Sequence, residues 1–331
     1  MPELWLLLVV IILAVAFDFI NGFHDTANAI ATVVSTRVLS PTVAIVMAAG
    51  LNFAGALSGT AVAKTIGSGI VGTNVSQEVV VSALIGAIVW NLITWYRGIP
   101  SSSSHALIGG LIGGGIAQSG FDQVHWFVLR DKVIIPFIGS PVAGFIGGWI
   151  IMNLLLTVFA QFSPHFVGRF FRQGQVLSSA FMAFSHGSND AQKTMGIITL
   201  SLIAAHKIPP SPFLVPFWVI CLSAAAMAFG TASGGWRIIR TMGTKIVQLT
   251  PIHGFAAETA AATIIETASR FGFPLSTTHV ISSTILGVGS SKRFKSVRWI
   301  IVRGMIQAWI FTIPATALLA FFSFMVIDKI F

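Results

Sequence analysis

The chain has 331 residues, of which 55% are hydrophobic and 9% charged, and its mean hydropathy is +0.87. Ordinary soluble domains carry about 25% charged residues, so this inventory cannot clothe a water-facing surface. The formal net charge of +9 does not indicate nucleic acid, because the basic residues sit at the ends of apolar runs: Arg97, Arg130 and Lys132, Arg169 and Arg172, Arg237, Arg240 and Lys245, then Lys292, Arg293, Lys295 and Arg298.

In chain order, Leu4 to Phe17 is the first apolar run. Ala14-Val15-Ala16 imitates a secretory cleavage site, but no Lys or Arg precedes it, so a first span is expected instead. The polar string Asn21-Gly22-Phe23-His24-Asp25-Thr26-Ala27-Asn28 follows; on a helix Asn21, Asp25 and Asn28 share one face. Thr42 to Ala63 and Val79 to Tyr96 each approach the roughly 20 apolar residues that a crossing needs. Next comes Ile99-Pro100-Ser101-Ser102-Ser103-Ser104-His105. Its proline stops one helix and suits the start of another, so Ser102, Ser103 and Ser104 are expected at a cap and first turn. Gly109-x-x-x-Gly113 and Gly144-x-x-x-Gly148 read as close helix packing, Val133 to Ala160 as a further span, and Phe162 to Gln175 as a wetter stretch. The string His186-Gly187-Ser188-Asn189-Asp190-Ala191-Gln192-Lys193 precedes the apolar run Phe213 to Phe229, whose Cys221 is the single cysteine and reads as packing. Phe273-Pro274-Leu275-Ser276-Thr277-Thr278-His279 and the run Trp299 to Ile327 complete the series. About ten to twelve segments result if the shorter ones pair as broken or hairpin helices. The alternating ten-residue segments of a β-barrel are missing, so an all-α, multi-spanning membrane protein is expected. The basic loop 292–298 is its expected cytoplasmic loop.

The polar strings pair off. Aligning Asp25 with Asp190 and His105 with His279 also matches Gly59-Thr60-Ala61 with Gly230-Thr231-Ala232, Lys64-Thr65-Ile66-Gly67 with Arg240-Thr241-Met242-Gly243, and Gly98 with Gly272. Anchors in one order indicate a duplication: a first repeat over 17–118, a connector with an additional span over 119–181, a second repeat over 182–291, and a basic loop with a C-terminal span over 292–331. A duplicated membrane protein of this kind is expected to hold one polar site between its halves.

A carboxylate in apolar surroundings is costly unless paired or neutralised, and marks a functional site by default. Asp25 and Asp190 are therefore candidate sites for Na⁺ or a proton, with Asn21, Asn189 and Glu258 as further candidates. Pairing of Asp190 with Lys193 is the plainer alternative. Glu258, in an apolar run without a counterpart in the first half, reads equally as a cation ligand or as a buried acid. Helix N-termini present unpaired amides and partial positive charge, and the hydroxyls Ser102, Ser103, Ser104, Ser276, Thr277 and Thr278 turn these into candidate oxyanion cradles. One hydroxyl suffices for capping; these runs exceed that need. Asn28, Gln192 and Lys193, with Asp25 and Asp190, complete the candidate substrate ligands. His105 and His279 are expected to make structural hydrogen bonds.

At these residues the chain resembles the inorganic phosphate transporter family. The resemblance rests on His186-Gly187-Ser188-Asn189-Asp190-Ala191-Gln192-Lys193-Thr194, Pro274-Leu275-Ser276-Thr277-Thr278-His279, Gly230-Thr231-Ala232 and Glu258-Thr259. It implies two inverted repeats with broken helices meeting at a central site, and a secondary transporter, not an enzyme, taking up phosphate across the plasma membrane with Na⁺ or H⁺. The similarity also implies that Asp25, Asp190 and the two hydroxyl turns lie together at the centre. The chain departs from the pattern at Lys64, where sodium-coupled animal members carry an acid, and at His24, which replaces the Asn seen at Asn189. The long soluble loop of larger members is missing. No cofactor is expected beyond the coupling cation. The expected partners are phosphate, its mimic arsenate, the lipid bilayer and, for assembly, a second copy of the chain. A sulfate permease of the same architecture is the alternative, and an intramembrane metal-dependent hydrolase using His24, Asp25 and His186 the remote one.

Overall fold

Inside a bilayer every backbone amide must be satisfied within its own segment, so the apolar runs fold as helices. The computed structural model describes residues 2–70, 75–291 and 293–329; Lys292, in the expected basic loop, lies outside them. Among the described residues there is no strand. The helices are α1 (Pro2–Ser35), α2 (Pro41–Ala56), α3 (Ala61–Gly69), α4 (Gln77–Arg97), α5 (Ser103–Ser119), α6 (Trp126–Leu129), α7 (Ile135–Val158), α8 (Pro164–Ala204), α9 (Phe217–Ser233), α10 (Trp236–Arg240), α11 (Pro251–Arg270), α12 (Thr277–Ser290) and α13 (Trp299–Ile327). A π-helical stretch joins α6 to α7 into a single run, Trp126–Val158, and another extends α10 to Lys245.

Four helices are long and apolar enough to cross a membrane: Leu4–Ser35, Gln77–Arg97, Trp126–Val158 and Trp299–Ile327. Two further spans are broken. α2 meets α3 at a 72° bend, and α9 meets α10 at 60°. α8 crosses too, although its inner face carries Asn189, Asp190 and Lys193 and lowers its hydropathy.

The relation of the halves follows from how α1 meets α8. Thr36 donates to Gln175 Oε1 at 2.9 Å and Ser179 to the Ala29 carbonyl at 3.3 Å, Asp25 lies by His186 and Asp190, and Asp18 faces Thr194. Numbers rise along α1 as they fall along α8, so the two helices are antiparallel. They carry the matched strings around Asp25 and Asp190, and equivalent helices running in opposite directions make the repeats inverted.

The broken spans repeat this relation. A Cβ on Gly230 of α9 would strike the Phe19 carbonyl of α1; one on Gly55 of α2 would strike the Phe184 carbonyl of α8. Phe19 and Phe184 stand in the same relation as Asp25 and Asp190, so Gly55 occupies the place equivalent to Gly230. The sequence match of Gly59 with Gly230 is thus off by one helical turn. Short apolar segments with several small residues allow such a slip, and packing against α1 and α8 fixes the register.

Two helical hairpins complete the repeats. Gln77, at the start of α4, donates to the Ser201 carbonyl near the end of α8 (2.8 Å), while Thr94, near the end of α4, reaches His24 (3.0 Å). The α4–α5 hairpin therefore enters from the α8 C-terminal side and turns at mid-depth. The α11–α12 hairpin enters from the other side, with Gly254 against Gln175, and turns where the Phe273 carbonyl meets Asn189. Both first arms end on a left-handed glycine, Gly98 (φ 65°) and Gly272 (φ 70°), a conformation open to glycine without steric cost. The second arms pack through small residues: Gly109 and Gly113 of α5 against α13, and Gly144 and Gly148 of α7 against α12.

Candidate functional site

The hairpin tips and the middles of α1 and α8 meet in a buried polar cluster. Ser102 caps α5, accepting from the His105 amide at 3.1 Å; Ser276 caps α12, accepting from the His279 amide at 3.2 Å. The next hydroxyls are thereby aimed inward. Thr277 donates to Asp190 Oδ2 at 3.0 Å, and Thr278 lies 3.5 Å from Asp25 Oδ1. Asn28 Nδ2 donates to both threonine hydroxyls, at 3.2 and 2.9 Å. One hairpin tip thus joins the aspartates of both halves, and ligand atoms of Asp25, His186 and Asp190 all lie within 4.8 Å of one another.

Each carboxylate has a basic neighbour. His24 Nδ1 lies 2.6 Å from Asp25 Oδ1, while Lys193 Nζ donates to Asp190 and, at 3.2 Å, to the Leu275 carbonyl. The second half also offers His186, with Nε2 3.2 Å from Asp190 Oδ2. A chain of donors fixes its tautomer. Thr231 donates to the Met227 carbonyl (2.9 Å) and so accepts from Asn52 Nδ2 (2.8 Å). Asn52 Oδ1 consequently faces His186 Nδ1 at 3.1 Å, and the ring must donate there. In neutral His186, Nε2 then turns a lone pair toward Asp190. That arrangement suits a cation, or a proton on the ring, between Asp25, His186 and Asp190.

The cluster is shut off from solvent: Asp190 is 0% exposed, Asp25 3%, and Ser103 and Thr277 1% each. Acceptors without donors surround it, namely Asn21 Oδ1, Asn28 Oδ1 and Asn189 Oδ1, and Ser103 Oγ has no partner at all. Buried polar groups are seldom left so, and together they provide oxygen ligands for a cation and a hydroxyl for an anion. Beside it, toward the end of α11, lies an open cavity of about 310 Å³ lined by Ser58, Ser188, Gln192, Ser269 and Arg270 among others. Asn189 forms its link to the cluster, donating to Ser269 at 2.8 Å. Arg270 is exposed at its mouth and pairs with Glu266 at 3.0 Å.

The expected site residues fall into two groups. Asp25, Asp190, Asn28, Lys193, Thr277 and Thr278 meet directly, while Ser103, Asn21 and Asn189 have unpartnered atoms nearby. Others are engaged elsewhere. Ser102 and Ser276 accept as helix caps and keep their hydroxyl protons to donate, and Ser104 donates to the Leu275 carbonyl at 3.1 Å, joining the two tips. Gln192 Oε1 accepts from the Val62 amide at 2.8 Å and its Nε2 donates to the Ser188 carbonyl, so its side chain caps α3 and keeps one N–H of Nε2 beside the cavity. Glu258 does not join the aspartates: it accepts from Thr32 and Ser178, and from Gln175 at 3.3 Å. Thr32 stands seven residues beyond Asp25, about 10 Å along α1. His279 differs from expectation as well, and it sits beside His105. Their rings lie 4.9 Å apart in an aromatic cluster with Phe137 and Trp309, and neither ring nitrogen of His279 has a hydrogen-bond partner.

Residue-by-residue reading passed over Asp18 and Thr94. Asp18 is wholly buried on the same stripe of α1 as Asn21, Asp25 and Asn28, and that spacing is the signal that could have found it. Thr94 relays between Ser101, at 2.9 Å, and His24; nothing in an apolar run marks a lone threonine for that task.

The chain is similar to known proteins. The phosphate transporter family model matches the chain twice, over residues 21–168 and 159–320. A probable low-affinity inorganic phosphate transporter of Bacillus subtilis (strain 168) is 45% identical over 331 residues, covering 98% of each chain. A protein of the same description from Rhizobium meliloti (strain 1021) is 45% identical over 327 residues, covering 98% of this chain and 97% of the relative. Among solved structures, a sodium-dependent phosphate transporter matches with a TM-score of 0.91 at 25% identity, covering 98% of this chain and all of the other.

Proposed function

The chain belongs to the phosphate transporter family, and we propose that it carries inorganic phosphate into the cell by symport with a monovalent cation. One observation supports this above all: acids of both repeats, Asp25 and Asp190, converge within 4.8 Å beside hydroxyls at a hairpin tip, with one lysine among them. With His24 and His186 neutral, two carboxylates against one ammonium leave the pocket negative before any substrate enters. Phosphate adds at least one more negative charge, so cations must enter with it.

The membrane potential makes the same demand. An anion moving against an inside-negative potential is opposed by about 2.3 kcal/mol per charge per 100 mV. Cations held by Asp25, Asp190 and the neighbouring Asn oxygens cancel that opposition. The anion is held by Ser103, Thr277 and Thr278 and by the first amides of α5 and α12. Lys193 moves between Asp190 and the substrate. Rocking of the repeat over 17–118 against that over 182–291 exposes the pocket to either side in turn. The sodium dependence of the solved relative favours Na⁺ as one coupling ion. Phosphate over sulfate follows from the twin acids, since phosphate can donate a hydrogen bond to a carboxylate and sulfate at neutral pH cannot.

Arg37, Arg169, Arg172, Lys245, Lys295 and Arg298 gather on the face where α1 ends and α8 begins; Arg172 donates to the Arg37 carbonyl (3.0 Å) and the Arg298 amide to that of Ile246. By the positive-inside rule that face is cytoplasmic and the cavity at Arg270 opens outward, in a plasma membrane. The test is radiolabelled phosphate uptake into proteoliposomes with Na⁺ or H⁺ gradients imposed separately. Stimulation by a gradient and competition by arsenate but not sulfate are expected; uptake indifferent to both gradients refutes symport.

A further inference from the structure

We propose that Asp18 carries a proton through the transport cycle, at a site separate from the Asp25–Asp190 pair. The proposal rests on the transport reading above and deepens it.

Asp18 is 0% exposed, and neither of its carboxylate oxygens makes a hydrogen bond within 3.5 Å; the Thr194 hydroxyl is the one side chain placed to donate to it. No other buried carboxylate among the described residues is left so. It lies on the polar stripe of α1, seven residues before Asp25 and so about 10 Å from it along the helix, toward the outward face. From α8 it is faced by the Thr194 hydroxyl and feels the charges of Asp190 and Lys193. α4 and α9 also pack on α1 and add no titratable group to those acting on it. The single nearby ammonium is held by Asp190 and the Leu275 carbonyl.

A carboxylate in that position must be neutralised. A hard metal cation gathers six or so oxygens; Asn21 Oδ1, one turn on, adds one, while Ala14, Phe17, Ala191 and Met195 belong to the apolar core on either side. A proton needs only the carboxylate, and the resulting O–H has Thr194 Oγ1 to point toward. The fold does not require an acid there, because Ala183 takes the equivalent position of the second repeat and is equally buried. The acid is an asymmetric addition to a symmetric scaffold. Its place explains coupling. An anion that draws Lys193 from Asp190 leaves more negative charge around Asp18, which attracts a proton, and by linkage the proton promotes anion binding.

The test uses the purified full chain in proteoliposomes and compares wild type, Asp18→Asn and Asp18→Glu. Size-exclusion profile and thermal unfolding confirm that the variants fold; Asn has the shape of the neutral acid. Phosphate–phosphate exchange without gradients reports the transport reading itself. Uptake driven by a pH gradient, with lumenal pH followed by a trapped dye, reports Asp18. In wild type a gradient of one pH unit supports about tenfold accumulation per proton carried. Asp18→Asn is expected to exchange phosphate yet lose that pH-driven accumulation and move fewer protons per phosphate, and Asp18→Glu to keep both. Phosphate brings its own protons equally in all three, so the difference belongs to the side chain. A wild type without exchange refutes the transport reading. A wild type that exchanges but ignores pH refutes the Asp18 proposal alone, as does an Asp18→Asn variant that keeps full pH-driven accumulation or loses exchange together with it.

Discussion

Lys193 and Asp190 neutralise one another where neither touches water, so removing the ammonium strands a buried carboxylate. Breaking such a pair costs about 3–5 kcal/mol. Lys193→Met is therefore expected to lower the thermal unfolding temperature in sodium-free buffer, with added Na⁺ recovering part of the loss and a second substitution, Asp190→Asn, recovering more. Ser103 is the opposite case. Its hydroxyl bonds to nothing in the protein, so Ser103→Ala is expected to leave unfolding unchanged. A hydrogen bond to a charged ligand contributes about 1.5–3 kcal/mol, which predicts a KM for phosphate raised about tenfold or more in uptake assays. The two hydroxyl runs are alike in sequence, yet Ser102 caps, Ser104 ties the tips together, Ser103 is unoccupied, and Thr277 and Thr278 reach the acids. Chain spacing put these residues at a helix start. Which of them faces the pocket depends on the partner helix, and a run of serines carries no information about that.

At the scale of elements, the broken and re-entrant helices are what bring polar backbone to mid-membrane, and they are held by glycine contacts. Gly22 of α1 lies on Met227 and Gly230 of α9, and Gly187 of α8 on Asn52 of α2; at each a Cβ would strike backbone that cannot yield. Gly22→Val and Gly187→Val are expected to separate these pairs and destroy the monodisperse peak on size exclusion, whereas Gly139→Val, with nothing within 4 Å of its Cβ, is expected to behave as wild type. Replacing the α12 cap by Ser276→Ala costs about 1 kcal/mol, a small shift in unfolding, but frees Thr277 and Thr278 from their aim and is expected to weaken uptake more than stability. The end of α4 at Gly98 and of α11 at Gly272 was legible, because only glycine enters the left-handed turn so readily. The bends after α2 and α9 were less so: their small residues fit several registers, and contacts with α1 and α8 select one.

For the whole molecule, the basic cluster on one face and the cavity beside the α11 tip, which on the proposed reading opens to the other face, give it a direction. In a Cys221→Ser background, Lys295→Cys is expected to resist a membrane-impermeant maleimide in intact cells and Lys207→Cys to react; the reverse pattern inverts the assigned orientation. Arg270 offsets the Glu266 carboxylate where both line the cavity, and salt screens the charge that its loss exposes, so Arg270→Gln is expected to slow uptake at low ionic strength and little at high. The sequence by itself determined that the chain is a helical membrane protein, that it is duplicated, and that its acids and hydroxyl turns are paired between the halves, since hydropathy and repetition are local and additive. Only the tertiary structure decided that α1 and α8 run antiparallel, that Glu258 and Gln192 stand apart from the aspartates, that His186 Nε2 faces Asp190, and that Asp18 has only the Thr194 hydroxyl beside it. Each of these depends on which surfaces of distant helices close upon one another, and packing of whole helices sets that, not the order of residues along any one of them.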